Sequence, residues 1–132
     1  MSSDYGMQAK LNVPYDEAVE QATAALKEEG FGVLTEIDVK ATLKKKIDAD
    51  FRRYVILGAC NPNLAHQALQ SQLDLLLPCN VIVYETGEGQ SVVSIVNPMA
   101  MMGVADSEGL NAVAEQANEK LLRVVEKLAA GA

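Results

Sequence analysis

The chain has 132 residues and a net charge of −7, with 49% hydrophobic residues, 22% charged residues and no tryptophan. This length and composition are typical of one globular domain with a buried core, and we expect that domain to span residues 5–130. The acidic charge argues against nucleic acid and against anionic membrane surfaces as partners, because both would repel the protein.

The N-terminal sequence and the cysteine content indicate a cytoplasmic protein. The chain begins "MSSDYGMQAKLN", which lacks the basic and apolar regions of a secretory signal. None of its apolar stretches reaches the ~20 residues that span a bilayer. The two cysteines, Cys60 and Cys79, are too few for a disulfide framework. We therefore expect reduced thiols in the cytoplasm.

The first part of the chain predicts a strand, a helix and a second strand. Apolar and polar residues alternate over residues 5–13, which indicates a half-buried strand that Pro14 ends. Residues 16–29 carry an apolar stripe with helical spacing, and Gly30 is the residue type expected just past a helix end. Residues 31–38 then predict the second strand.

Residues 40–53 differ from the rest of the chain in charge. They hold six basic and two acidic residues, a net charge of +4, so the remaining residues carry −11. We expect a short helix or turn here. The strand that follows, over residues 53–60, is apolar on both faces, so we expect it to be central and covered on both sides.

A helix is predicted after this strand, because Asn61 is a favoured N-cap and Pro62 suits the first helical position. We expect the helix to run to about Leu76 and Pro78 to end it.

Two strands and a helix complete the predicted fold. Residues 80–85 and 91–96 predict strands joined by a glycine-rich hairpin turn. Residues 97–105 predict an apolar loop, and residues 107–130 a last helix. The order β-α-β-(short α)-β-α-β-β-α predicts an α+β fold, with a mixed or mostly antiparallel sheet and helices packed on one face.

The helix predicted between the two cysteines bears on what they do together. A helix over residues 62–76 spans roughly 22 Å at about 1.5 Å per residue. A disulfide needs alpha carbons within about 7 Å of each other. We therefore expect that helix to hold Cys60 and Cys79 apart, without an intrachain disulfide or a shared metal ion.

Each cysteine then has two interpretations. Cys60 lies next to a predicted helix N-terminus, where backbone N–H groups lower the pKa of a thiol, and this is the setting of a reactive cysteine. Burial as a small apolar residue is the simpler interpretation for Cys60 and for Cys79. Asn61 is expected to cap the helix, and Asn80 to shape the entry to a strand.

Four stretches of the sequence carry a resemblance to a known family; in chain order they are "GFGVLTEIDV", "LGACNP", "LLPCNVIVYE" and "VNPM". Together they resemble the domain-of-unknown-function family 302 (DUF 302), over essentially residues 5–130. The resemblance implies a compact α+β fold and a homodimer, and it implies little about chemistry. The family's two cysteine blocks fall on residues 60–62 and 78–80.

Two hypotheses about function rest on the cysteine blocks. The one that we favour is a homodimeric binding or interaction module with a small-ligand site near Cys60, Asn61, Cys79 and Asn80. The alternative is a thiol-dependent or metal-binding protein that uses Cys60, with Cys79 contributed across the dimer interface.

A third hypothesis is a small anionic ligand bound by the basic segment, with Lys44 and Lys45 as candidate residues. The competing interpretation is that these lysines are solvated and pair with Asp48 and Asp50. The sequence identifies neither a cofactor nor a catalytic residue.

Overall fold

The computed structural model describes residues 6–69, 79–103 and 108–130. In chain order, its elements are β1 (Gly6–Leu11), α1 (Tyr15–Glu28), β2 (Gly32–Asp38), α2 (Val39–Ile47), β3 (Tyr54–Cys60), α3 (Pro62–Leu69), β4 (Cys79–Gly87), β5 (Gln90–Val96), a 3₁₀ helix (Pro98–Gly103) and α4 (Glu108–Ala130). The α+β class and the order of strands and α-helices are confirmed. The helix end predicted between Leu76 and Pro78 lies outside the described residues.

The five strands form one sheet in the order β1-β5-β4-β3-β2. Every neighbouring pair is antiparallel. Of the two predicted arrangements, a mixed sheet or a mostly antiparallel sheet, the structure has the second. The two edges of this sheet are β1 and β2. The β2–β3 pairing contains an irregularity between Val33 and Thr35, which is the mark of a bulge.

Helices α1 and α4 pack against one face of the sheet, as predicted. Alternation along β1, β3, β4 and β5 places most of their buried side chains on that face, where the small residues Ala18, Ala22 and Ala25 of α1 allow close approach. The largest fully buried side chains of this core include Leu11, Leu26, Leu57, Ile95 and Leu121.

Among the residues that the structure describes, no helix of this core layer lies on the second face of the sheet, and we call it the open face. Ile37, Ile56, Ile82 and Ser94 lie side by side across four strands of this face, and none of them is fully buried. The expectation that β3 is covered on both faces was therefore wrong. On the open face, β3 is partly covered by side chains of the neighbouring strands. Tyr54 on β3 stacks against Tyr84 on β4, for example, with ring centroids 5.2 Å apart.

The basic segment contains the short helix that was predicted, and the segment after β5 contains a helical turn that was not. Helix α2 begins where the Asp38 carboxylate accepts a hydrogen bond from the Ala41 N–H at 2.9 Å, and it ends at Asp48 in the left-handed conformation, with φ 53°. Residues 97–105 were expected to form an apolar loop, but the 3₁₀ helix lies within them. Among the described helices, none is long and apolar enough to cross a bilayer.

Candidate functional site

The end of α1 makes a tight reversal into β2. The Phe31 N–H donates to the Leu26 carbonyl at 2.9 Å, and the Gly30 N–H donates to the Lys27 carbonyl at 3.0 Å. Gly30 has φ +85°, the left-handed conformation that glycine adopts most easily. This is the helix end that the sequence predicted at Gly30.

Asn61 joins this reversal to the start of α3. Its side-chain oxygen accepts hydrogen bonds from the N–H groups of Asn63 at 3.1 Å and Leu64 at 3.3 Å, which confirms the predicted N-cap. Its side-chain nitrogen donates to the Glu29 carbonyl at 3.4 Å. A Cβ atom at Gly30 would lie 3.0 Å from that nitrogen. Asn61 therefore holds the start of β2 against the end of β3 and has a sufficient structural role.

Cys60 ends β3 directly opposite Gly32, the first residue of β2. A cleft of about 370 Å³ opens beside this pair, at the β2 edge of the sheet. Its walls are mainly apolar and come from α1, the reversal, β2 and the start of α3; the lining residues are Lys27, Gly30, Phe31, Gly32, Leu34, Cys60 and Pro62. The cleft thus combines apolar walls with one thiol and one ammonium group.

The two cysteines are neighbours in space, so the expectation that a helix holds them apart was wrong. Ala59, the residue before Cys60, pairs with Cys79 across the β3–β4 ladder. The chain leaves β3 and returns to β4 at the same end of two antiparallel strands, so the helix between them sets no separation. Both thiols are nevertheless free. Because side chains alternate along a strand, Cys79 shares the helix-covered face with Ala59 and Cys60 lies on the open face.

The environment of Cys79 favours its neutral thiol. Burial raises the pKa of Cys79 to about 11, and the charge of a nearby Cys60 thiolate adds to this rise. The thiolate is the form that attacks electrophiles and binds metals. Cys79 therefore carries its proton at neutral pH and is poorly suited to either role.

The other predicted site residues do not join Cys60 in the cleft. Asn80 is exposed on β4, one residue beyond Cys79. Lys44 and Lys45 belong to α2, which precedes β3, whereas Cys60 lies at the far end of that strand. The Lys44 ammonium pairs with Asp48 at 2.9 Å and with Asp50 at 3.3 Å. These ion pairs are the ones expected if the lysines are solvated and pair with Asp48 and Asp50, rather than binding an anionic ligand.

The described residues contain no metal-ligand cluster, and a second cleft lies elsewhere in the molecule. Within residues 6–69, 79–103 and 108–130, no three His, Cys, Asp or Glu side chains are placed to share a metal ion. His66 is exposed on α3. A larger cleft of about 560 Å³ lies between β1, the 3₁₀ helix and α4, with Gln8, Asn97 and Asn118 among its lining residues. The described residues of its lining include polar amides but no titratable or nucleophilic group.

Of the seven residues that line the Cys60 cleft, sequence reasoning singled out only Cys60 as a site residue. The other six were assigned only to helices, a helix end and a strand. Gly32 and Leu34 reach Cys60 because β2 pairs antiparallel with β3, in a register that sets Gly32 opposite Cys60, and the reversal from α1 into β2 brings Lys27 beside them. No local sequence pattern predicts that register. The break in alternation at Leu34 indicates only that the strand is irregular.

Comparisons with known proteins identify the family. The family model "Domain of unknown function DUF302" matches residues 7–128, so the chain belongs to this family. Among solved structures, the chain is similar to an uncharacterized conserved DUF302 protein from Bacillus stearothermophilus. The two are 26% identical with a TM-score of 0.83, over 96% of this chain and 99% of that chain. No curated protein matches.

Proposed function

We propose that this DUF302 protein is a cytoplasmic homodimeric binding module that holds a small, mainly apolar ligand in the cleft beside Cys60. The observation that carries this proposal is the cleft itself. Its volume of about 370 Å³ falls within the ~300–1,000 Å³ typical of small-molecule sites, and it combines apolar walls with few polar groups. The two free thiols fit a reducing compartment.

The walls of the cleft suit binding more than catalysis. A nucleophilic cysteine normally needs a base within hydrogen-bond reach and a third group that orients the base. Among the described residues that line this cleft, Cys60 and Lys27 have titratable side chains, and none has a carboxylate or an imidazole. Asn61, buried beside the cleft, is engaged with backbone groups of α1 and α3. Its amide is therefore used in structure and is unavailable to a ligand.

The first test fills the cleft without straining the backbone. A Cβ atom at Gly32 would meet nothing within 4 Å, and Gly32 does not have a positive φ. We expect Gly32→Val to occupy the cleft and to lower the binding of the apolar dye 8-anilinonaphthalene-1-sulfonate several-fold, measured by fluorescence titration. Gly87→Val is the matched control, since a Cβ atom there makes only an ordinary 3.6 Å contact with Gln90, outside the cleft.

Two further measurements decide between ligand binding and an empty cleft. Native and denaturing mass spectra of the purified protein should differ by the mass of any ligand that is retained from the cell. Sedimentation of both glycine variants beside the wild type separates lost dye binding from altered assembly, a check that matters because Gly32 lies on β2. Equal dye binding by Gly32→Val and the wild type would refute the cleft as the binding site.

A thiol-dependent activity of Cys60 is the second candidate, supported by the place of Cys60 among the residues that line the cleft. Alkylation of Cys60 with iodoacetamide, mapped by peptide mass, should then be slowed by whatever occupies the cleft. The metal-binding form with Cys79 is less well supported, because the raised pKa of Cys79 opposes the thiolate that a metal requires. An anionic ligand at Lys44 and Lys45 stays a prediction.

A further inference from the structure

The two edge strands of the sheet differ in how well they are covered. In β1, four of six residues are buried, and the strand packs against α4. In β2, every residue but Val33 is exposed, on both faces of the strand. Monomeric proteins usually protect an exposed edge with lysine, proline or a bulge. β2 contains no lysine or proline, and its bulge leaves Leu34 71% exposed.

Exposed apolar side chains lie on β2 and on the segment that follows it. In the described part of the chain, four of the seven exposed large hydrophobic residues fall between residues 34 and 51: Leu34 and Ile37 on β2, Ile47 on α2, and Phe51, whose ring contacts that of Tyr54 on β3. Covering the two on β2 would be favourable by about 25 cal/mol for each Å² of apolar surface removed from water. Exposed apolar residues on an edge strand that is protected by a bulge but by no lysine or proline mark a surface for a protein partner.

The charges beside β2 specify the partner. Lys27 lies beside the start of the strand, since it lines the same cleft as Gly32 and Leu34, and Glu36 lies beyond Leu34 toward the strand end. Among the ion pairs of the described residues, neither Lys27 nor Glu36 takes part. In an antiparallel pairing centred on Leu34, Gly32 would lie opposite Glu36 of the other copy, which would bring each Lys27 near that Glu36, twice in one symmetric interface.

We propose that β2 pairs antiparallel with β2 of a second copy across a two-fold axis, which extends the two sheets into one of ten strands. The inference rests on the homodimer and the cleft proposed above and names the surface that forms them. The outward N–H and C=O groups of β2 then gain partners, as in other cases of strand addition. Gly32 and Leu34 belong to both β2 and the cleft, so the second copy forms part of the outer wall of each cleft.

The test is a charge swap, followed by sedimentation of the full chain across a range of concentrations. We expect Lys27→Glu and Glu36→Lys each to weaken the dimer about tenfold, because two exposed attractions become repulsions. The double variant should restore the dissociation constant to within about twofold of the wild type, as rescue by an exchanged pair requires. Lys10→Glu, on the exposed face of the other edge strand, is the matched control and should leave the dimer unchanged.

A second variant removes the apolar contact. Leu34→Asp should leave the protein monomeric at concentrations where the wild type is dimeric, with an unchanged circular dichroism spectrum, because the side chain is exposed in a single copy. A dimer that none of the β2 variants weakens would overturn the β2 surface while leaving the homodimer intact. A wild type that sediments as a monomer at every concentration would overturn both the surface and the homodimer.

Discussion

β1 and β2 are the two edges of one antiparallel sheet, yet they have opposite surroundings. Leu11 of β1 is 1% exposed and lies in the core, whereas Leu34 of β2 is 71% exposed. Both strands contain apolar residues and both were predicted as strands from the sequence. Their difference shows that apolar content locates a strand but not what covers it. The helix layer protects one edge, and a partner is expected to protect the other.

The largest expected effect compares one leucine on each edge. Leu11→Ala should lower the free energy of unfolding by about 2–5 kcal/mol, because it leaves a cavity in the core. Leu34→Ala should change it by no more than about 0.5 kcal/mol at dilutions where the protein is monomeric. Urea titrations at low and high protein concentration measure both effects. A large cost of Leu34→Ala in the monomer would mean that β2 is covered by its own chain.

The next comparison uses two glycines at the start of β2. Gly30→Ala should cost about 1–2 kcal/mol, because alanine is disfavoured at φ +85° and its Cβ atom would crowd Asn61. Gly32→Ala should stabilise the protein by about 0.4–1 kcal/mol, since it stiffens the unfolded chain without a clash. Thermal unfolding of both variants checks the signs. Equal effects would contradict the reversal geometry.

The two Cys-Asn pairs provide a third comparison. Asn61→Ala should cost about 1–2 kcal/mol, because it removes the cap of α3 and leaves the Glu29 carbonyl without its side-chain partner. Asn80→Ala, at an exposed position on β4, should stay within about 0.5 kcal/mol of the wild type. Similar costs in urea titrations would mean that Asn80 also has a structural role.

The smallest effect concerns the cysteine on the helix-covered face. Because the pKa of Cys79 is raised to about 11 in the fold, the folded state keeps its proton better than the unfolded state. This contribution to stability is complete below pH ~8.5, the ordinary thiol pKa, and is lost as pH rises through about 11. Unfolding of wild type and Cys79→Ser across that range should show the larger loss in the wild type, since both proteins keep the raised pKa values of Tyr15 and Tyr54. Parallel pH profiles would contradict the raised pKa.

Much of the fold was accessible from the sequence because local rules governed it. Asn61-Pro62 marked a helix start, Gly30 marked a helix end, and period-two alternation marked β1. The register between strands was not accessible, because it depends on contacts between segments far apart in the chain. That is why Cys60 and Cys79 were expected to be separated, although β3 and β4 bring them together.

The candidate site was predicted only in part, for the same reason. Cys60 was singled out and does line a cleft, and Asn61 was given its capping role. Lys44 and Lys45 stood out because the basic segment is conspicuous in composition, but α2 sets them at the opposite end of β3. Lys27 and Leu34 are ordinary residues in their own elements. The pairing of β2 with β3 brings Leu34 to Cys60, and the reversal from α1 into β2 brings Lys27 there.

The central claim is that the β2 edge is covered by a second copy, and hydrogen exchange tests it most directly. Amide exchange of residues 32–38, followed by mass spectrometry at low and high protein concentration, reports whether the outward N–H groups of β2 find partners. We predict that exchange in β2 slows markedly as concentration rises, while exchange in residues 6–11 of β1 does not change. Rapid exchange in β2 at every concentration would contradict the claim.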